Sequence, residues 1–411
     1  MNPNFKKILL KELERVDSSG VSKRFENVIE HFSKDSSKAV IKGSEYTVFN
    51  SNDYLGLRFN ENLKKSEAEA SETYGVGPGA VRFISGSLKV YNDLEREIAS
   101  FHGREDAMIF SSAFAANLGV IHSLIKGQSK DSLLSSNTLV VSDELNHRSI
   151  IDSIRVSNLK KENKAVFKHK DLTHLKKILS DNKNKFDRVL VITDGVFSML
   201  GNYQDLKKLK SVIKTFESFY EQGILLIVDD CHGVGCYGIN GKGVEEVTGG
   251  TADLLIGTFG KAFGVDGGYV VGDKILIDYL RESVATYIYS NPVSPGVAGA
   301  SLESVKLIKS KEGKGLLKKL RDNIDYFKQE MNKTSLKFVI DSDHPIQPLL
   351  IGDPIKTKKL VDYLFKNNLL VTNISYPIVP KGKDEIRIQL SASHSKKDIN
   401  NLIKKIISFC K

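Results

Sequence analysis

The chain has 411 residues, a formal net charge of +10, 40% hydrophobic residues and 27% charged residues, enough for two domains around a substantial core. Three cysteines, Cys231, Cys236 and Cys410, are an odd number without metal-site spacing, which argues against a disulfide framework. No stretch approaches the roughly 20 apolar residues of a spanning helix. Met1 to Arg15 mix Lys and Glu with short apolar stretches, unlike a signal or transit peptide, so a cytoplasmic protein without stable membrane insertion is expected. The basic excess is spread over scattered lysines with acids nearby, as Lys311 beside Glu312, and there is no Arg-rich tract or aromatic ladder. Nucleic acid is therefore not an expected partner.

In chain order, residues up to about Ser44 read as helix, turn and a short strand. Helical spacing follows over Glu61–Tyr74 and Tyr91–Phe101, with Gly-rich punctuation from Gly75 to Gly79. Short apolar runs then alternate with amphipathic helices. The runs are Ala107–Phe110, Thr138–Ser142, Val189–Thr193, Ile224–Val228, Leu254–Ile256 and Tyr269–Val271. That alternation predicts an α/β layer with a mainly parallel sheet, its strands buried on both faces. Asn291-Pro-Val-Ser-Pro-Gly296 interrupts the pattern. Beyond it strands are expected at Phe338–Ile340, Ile346–Ile351, Leu370–Asn373 and Ile386–Leu390, with helices at Ile355–Asn367 and Lys396–Cys410. Three units follow: an N-terminal segment over 1–45, a large domain over 46–295 and a small domain over 296–411.

Polar residues cluster just after the strand candidates, where ligands sit in open α/β sheets. Asp229-Asp230-Cys231-His232 follows Ile224–Val228; a carboxylate there can hold a ring nitrogen protonated, or it can turn a loop. Thr258-Phe259-Gly260-Lys261 follows Leu254–Ile256. Its lysine is flanked by small residues and can form a Schiff base with a bound aldehyde. The P-loop spacing is absent, because Ala262 follows the lysine. Asp143-Glu144-Leu145-Asn146-His147 follows Thr138–Ser142, and its imidazole can stack on a flat cofactor. Each signal alone is weak. No metal site is expected.

Taken together, the order His147, Asp229, His232, Lys261 resembles the α-oxoamine synthase family of fold-type I pyridoxal-5′-phosphate (PLP) enzymes. The similarity runs from Asn52-Asp-Tyr-Leu-Gly-Leu57 to Ser391-Ala-Ser-His394. Between them lie Val81-Arg-Phe-Ile-Ser-Gly86, Leu145-Asn-His-Arg-Ser-Ile150, Thr193-Asp-Gly-Val-Phe-Ser-Met199, Val228-Asp-Asp-Cys-His232 and Thr258-Phe-Gly-Lys261. The resemblance implies a mainly parallel seven-stranded sheet flanked by helices, with a smaller α+β C-terminal domain. It implies that Lys261 carries PLP and moves the substrate α-proton, and that Asp229 pairs with the pyridinium nitrogen. His147 would stack on the ring, and His232, helped by Ser198, would bond the 3′-oxygen. The amides of Ala113 and Phe114 with the Thr258 hydroxyl would seat the phosphate. Ser290 and Asn291 would reach the cofactor of a neighbouring subunit, making a homodimer with active sites at its interface. Arg387 would clamp the amino-acid carboxylate, with Asn52 also on the substrate side. The implied partners are an amino acid and an acyl-CoA, or an acyl-carrier protein.

Within the family, Ser375-Tyr-Pro-Ile-Val-Pro-Lys-Gly-Lys383 and Glu385-Ile-Arg-Ile-Gln-Leu-Ser391 look closest to glycine C-acetyltransferase. The alternatives are 8-amino-7-oxononanoate synthase, which typically has Thr where Ile378 stands, and a serine palmitoyltransferase-like enzyme with a longer acyl donor. Several positions depart from the family pattern: Tyr91, Leu200, Lys170 and the Pro in Gly75–Gly79. They put the acyl donor in doubt more than the chemistry. An aminotransferase, an aldolase, or a non-enzymatic protein that has kept the scaffold are the readings from other classes.

Overall fold

A computed structural model describes residues 1–18, 22–129, 131–375, 379–380 and 382–410. Its centre is a seven-stranded sheet in the order Asp106–Phe110, Gly268–Gly272, Leu254–Thr258, Ile224–Asp229, Arg188–Asp194, Thr138–Asp143, Lys164–Phe167. Neighbours pair in parallel except Gly268–Gly272, which runs antiparallel to both its partners. All seven residues of Arg188–Asp194 and all six of Thr138–Asp143 are buried. Two-sided burial explains why these strands read as nearly unbroken apolar runs. Six of the seven strands match the expected runs. Lys164–Phe167, a half-exposed edge strand, was not expected; its short apolar run Ala165–Phe167 stands between lysines.

Two of the expected C-terminal strands differ. Phe338–Ile340 is no strand: Phe338 makes a single bridge to Leu349. Val339 N donates to the Pro348 carbonyl, and Pro348 has no N–H to return, so the ladder stops there. The expected run Leu370–Asn373 divides between two sheets. Leu369–Leu370 pairs in parallel with Thr47 and Val48, while Thr372–Ile374 pairs antiparallel with Glu385–Arg387. The small sheet is Ile346–Leu350, Glu385–Gln389 and Thr372–Ile374. The strands His31–Phe32, Lys38–Ile41 and Ser44–Val48, with Leu369–Leu370, form a further four-stranded sheet, so the N-terminal residues build onto the C-terminal unit.

Pro295 opens the helix Pro295–Lys309, whose N-cap Ser294 accepts from Val297 N. That helix lies against Glu61–Tyr74 and Lys89–His102 on the flank of the large sheet. Gly299 makes the approach possible, since a Cβ there would stand 2.6 Å from the Ser66 carbonyl. The helix Lys311–Met331 then leads into the small sheet. Among the described residues no helix is long and apolar enough to cross a membrane.

Candidate active site

Parallel strands end together, and here they bring three strand-end groups to one edge. Asp194 and Asp229 are register partners on adjacent strands. Thr258 ends the next strand, and Lys261 lies three residues beyond it in the connection to Gly268–Gly272. Gly268, paired with Thr258, lets the helix Ala113–Lys126 begin hard against the sheet: a Cβ there would lie 2.3 Å from the Ala113 amide. Ser112 caps that helix by accepting from Ala115 N at 3.1 Å.

A cavity of about 240 Å³ lies at this edge. Lys261, Asp229, His232, His147, Thr258, Ala113 and Phe114 all face it, so seven of the expected site residues converge. Ser198 lines a neighbouring cavity instead. Arg387 does not line this cavity; its Nη1 donates to the Ser198 carbonyl at 2.7 Å and its Nη2 to Gln389 Oε1 at 3.1 Å. Asn52 accepts from Gln389 Nε2 at 2.6 Å. Ser290 and Asn291 are exposed and outside the cavity of their own subunit.

Asp229 and His147 are held by residues to which the sequence assigned no role. Asp229 Oδ1 accepts from Cys231 N at 3.0 Å and Oδ2 from Asn117 Nδ2 at 2.5 Å. Asn117 also donates to Ser149 Oγ, which in turn meets Nδ1 of His147 at 2.7 Å. The backbone N of His147 donates to Asp194 Oδ1 at 3.1 Å. Burial, with the adjacent Asp229 carboxylate, pushes the Asp194 acid well above the usual range. Burial, and then the Lys261 ammonium, hold His232 far below the ordinary histidine pKa. His147 is lowered by burial too, partly countered by Asp229. Both imidazoles are neutral at pH 7. Asp194 was readable in principle, because it ends an apolar run just as Asp229 does. Asn117 carries no such signal, since it sits inside a helix.

This donor set fits PLP. A helix N-terminus opens onto the cavity at Ala113 and Phe114, where an anion is favoured. A protonated ring nitrogen beside Asp229 would offset the charge of a buried carboxylate whose neighbour, Asp194, is itself a raised, buried acid. Lys261 supplies the amine, and His147 a flat neutral ring. Among the described residues no group of His, Cys, Asp and Glu is arranged to hold a metal ion.

A second cavity, of about 630 Å³, shares the wall made by His147. Leu145, Phe197, Met199, Leu200, Val339 and Val379 line it, so one family departure, Leu200, faces this space. Lys170 lies elsewhere, with its ammonium 5.6 Å from the Tyr203 ring centre. Tyr91 is a core residue whose hydroxyl donates to the Val293 carbonyl at 2.8 Å. Tyr376, Pro377, Ile378 and Lys381, part of the segment read as closest to glycine C-acetyltransferase, lie outside the described residues.

Residues 44–406 match the family model for class I and II aminotransferases. The chain is 38% identical to an 8-amino-7-oxononanoate synthase of Petrotoga mobilis, over 89% of this chain and 88% of that one. Among solved structures it resembles a serine palmitoyltransferase with its PLP internal aldimine. The identity is 26%, the TM-score 0.86, and the match covers 100% of this chain and 98% of that one. It is also similar to the 8-amino-7-oxononanoate synthase of Francisella tularensis, at 26% identity and a TM-score of 0.72, over 88% and 97% of the two chains.

Proposed function

This chain belongs to the α-oxoamine synthase family of PLP-dependent acyltransferases, within the class I and II aminotransferases, and on that premise we propose that it joins a small amino acid to an acyl thioester whose chain is longer than acetyl. One observation carries the chain length. The apolar cavity of about 630 Å³ shares His147 with the cavity holding Lys261. An acetyl group would leave most of that space unfilled. A chain of several methylenes would bury apolar surface at about 0.8 kcal/mol per CH2.

Bound PLP supplies a protonated ring that accepts the electron pair left when the substrate α-C–H bond breaks. The chain's own groups do the rest. Lys261, in its neutral amine form, takes the α-proton. Asp229, fixed by Asn117 and Cys231, keeps a proton on the ring nitrogen. Tyr54 lies 2.8 Å from Nδ1 of His232; as donor there it would leave the imidazole Nε2–H free for the cofactor's 3′-oxygen. Helix amides at Ala113 and Phe114 would receive the phosphate, joined by the Thr258 hydroxyl once it turns from the Gly267 carbonyl it donates to here. Arg387 turns from the Ser198 carbonyl to the substrate carboxylate. His147 stands between amino acid and acyl donor, so the two reacting carbons meet at its ring. Ser290 and Asn291, exposed in one subunit, serve the site of a second copy, which makes the working unit a homodimer. The acyl group arrives on CoA or on a carrier protein.

Thiol release tests the reading. Glycine, alanine and serine are each offered with acetyl-, octanoyl- and palmitoyl-CoA to the wild type and to Lys261→Ala. The expected result is free CoA, dependent on the amino acid and on Lys261, and faster with the longer donors. Turnover confined to glycine with acetyl-CoA would restore the glycine C-acetyltransferase reading. Keto-acid-dependent amino transfer without thiol release would overturn acyl transfer altogether.

A further inference from the structure

The strand Glu385–Gln389 alternates. Ile386 and Ile388 point into the core and are fully buried. Glu385, Arg387 and Gln389 share the opposite face, toward the large domain. Two of those three polar groups are matched there: Arg387 to the Ser198 carbonyl and Gln389 to Asn52. Glu385 differs. Its side chain is inaccessible to solvent, and among the described residues neither carboxyl oxygen has a hydrogen-bond partner. It caps no helix and makes no ion pair among the described residues. It lines the largely apolar cavity of about 630 Å³, whose wall also includes the charged Glu144, Arg148 and Lys383, across the sheet from Leu350 and Ile374.

A buried carboxyl without partners is costly, and proteins rarely keep one in an apolar wall without use for it. Burial pushes the Glu385 acid up to about 8, with the Arg387 charge pulling the other way. At neutral pH the group is therefore a neutral acid, one O–H donor beside one carbonyl acceptor. A plain hydrocarbon chain would cover both and satisfy neither. A chain bearing a hydroxyl or oxo oxygen would pair with them, and a site built around such a bond discriminates strongly against the analogue that lacks it.

We propose that Glu385 reads the acyl chain: its carboxyl meets an oxygen carried on the chain, so that oxygenated acyl donors are selected over plain ones. This rests on the acyl-transfer reading above and names the substrate class of that site.

The test uses unreactive CoA thioethers with an eight-carbon chain, either plain or bearing one hydroxyl at carbon 3, 5 or 7. Each is titrated calorimetrically into the PLP-loaded wild type, Glu385→Gln and Glu385→Leu, and melting curves confirm that both variants are folded. At least one hydroxylated analogue is expected to bind the wild type about tenfold tighter than the plain one, or about 1.4 kcal/mol. Glu385→Leu should erase that preference and bind the plain chain at least as well as the wild type does. Glu385→Gln, whose amide still donates and accepts, should keep part of it. A wild type indifferent to the hydroxyl, or a preference that survives in Glu385→Leu, overturns the inference. Equal weakening of every analogue in Glu385→Leu places the contact on the pantetheine arm they share, and also overturns it. In those cases acyl transfer itself stands. Failure of the wild type to bind any of the analogues, plain or hydroxylated, would count against acyl transfer instead.

Discussion

The phenol oxygen of Tyr54 lies 2.8 Å from Nδ1 of His232, joining the Asn52–Leu57 motif to a strand end 178 residues away in sequence. Burial holds the Tyr54 hydroxyl far above its usual pKa, so it stays protonated and is available as a donor to His232. With Tyr54 as the donor, the neutral His232 accepts at Nδ1 and carries its proton on Nε2. Tyr54 is thus a positioning residue that sets a tautomer. Tyr54→Phe keeps the ring packing and removes the donor. The expected outcome is a fall of roughly 10- to 100-fold in kcat/KM with a changed absorption spectrum of the bound cofactor. An unaltered spectrum and unaltered turnover would count against the role.

Asp229→Asn removes the charge while keeping the shape. Asn117 and the Cys231 amide can still position the side chain, so PLP should remain bound, but the ring nitrogen loses its anionic partner. Activity should fall by roughly 100-fold or more, with cofactor content near that of the wild type. Cofactor content and turnover are measured on the same preparation. Near-normal turnover would refute the assignment.

Leu200 faces the apolar cavity. Leu200→Asp would place a carboxylate against the acyl chain. We expect KM for octanoyl-CoA to rise about tenfold or more, the scale set by burying an unpaired charge, with acetyl-CoA little affected. Equal effects on both donors would show that the cavity does not take the chain.

Glu95 is the hub of a buried ion cluster. It accepts from Arg82 at 3.1 Å twice, from Arg281 at 3.3 and 3.2 Å, and from the Ile109 amide at 3.1 Å. Arg82 and Glu95 side chains are 5% and 4% exposed. Glu95→Ala would leave a buried guanidinium uncompensated and should cost about 3–5 kcal/mol, read as a lowered urea midpoint. A shift below about 1 kcal/mol would mean that the cluster relaxes onto solvent.

Glu385 has a pH signature of its own. Its folded pKa, near 8, is raised above the unfolded value of 4.5. The stabilisation linked to it is therefore complete below pH 4.5 and is lost as pH rises through 8. Between pH 5 and 9 the wild type should lose on the order of 4 kcal/mol relative to Glu385→Gln. Denaturant midpoints of the two proteins at pH 5, 7 and 9 decide it, and parallel curves would contradict a neutral buried acid.

Much of the large domain was legible in the sequence because two-sided burial writes each parallel strand as an apolar run, and polar residues just past those runs mark the ligand edge. Lys261, Asp229, His147 and His232 were found that way. The supporting residues left no comparable trace. Asn117 reads as one polar residue in a helix, Tyr54 as a core aromatic, and Glu385 as one more charge in a chain rich in them.

Alternation of apolar runs and helices was enough to predict the α/β architecture, and the resemblance carried by the ordered motifs at the run ends gave the family and the cofactor, because these depend on local pattern and residue type. Which atoms face one another was decided in three dimensions. The pairing of Asp194 with Asp229, the splitting of Leu370–Asn373 between two sheets, and the aim of Glu385 into an apolar cavity all depend on register and packing between segments far apart in the chain. Local sequence carries no record of such distances.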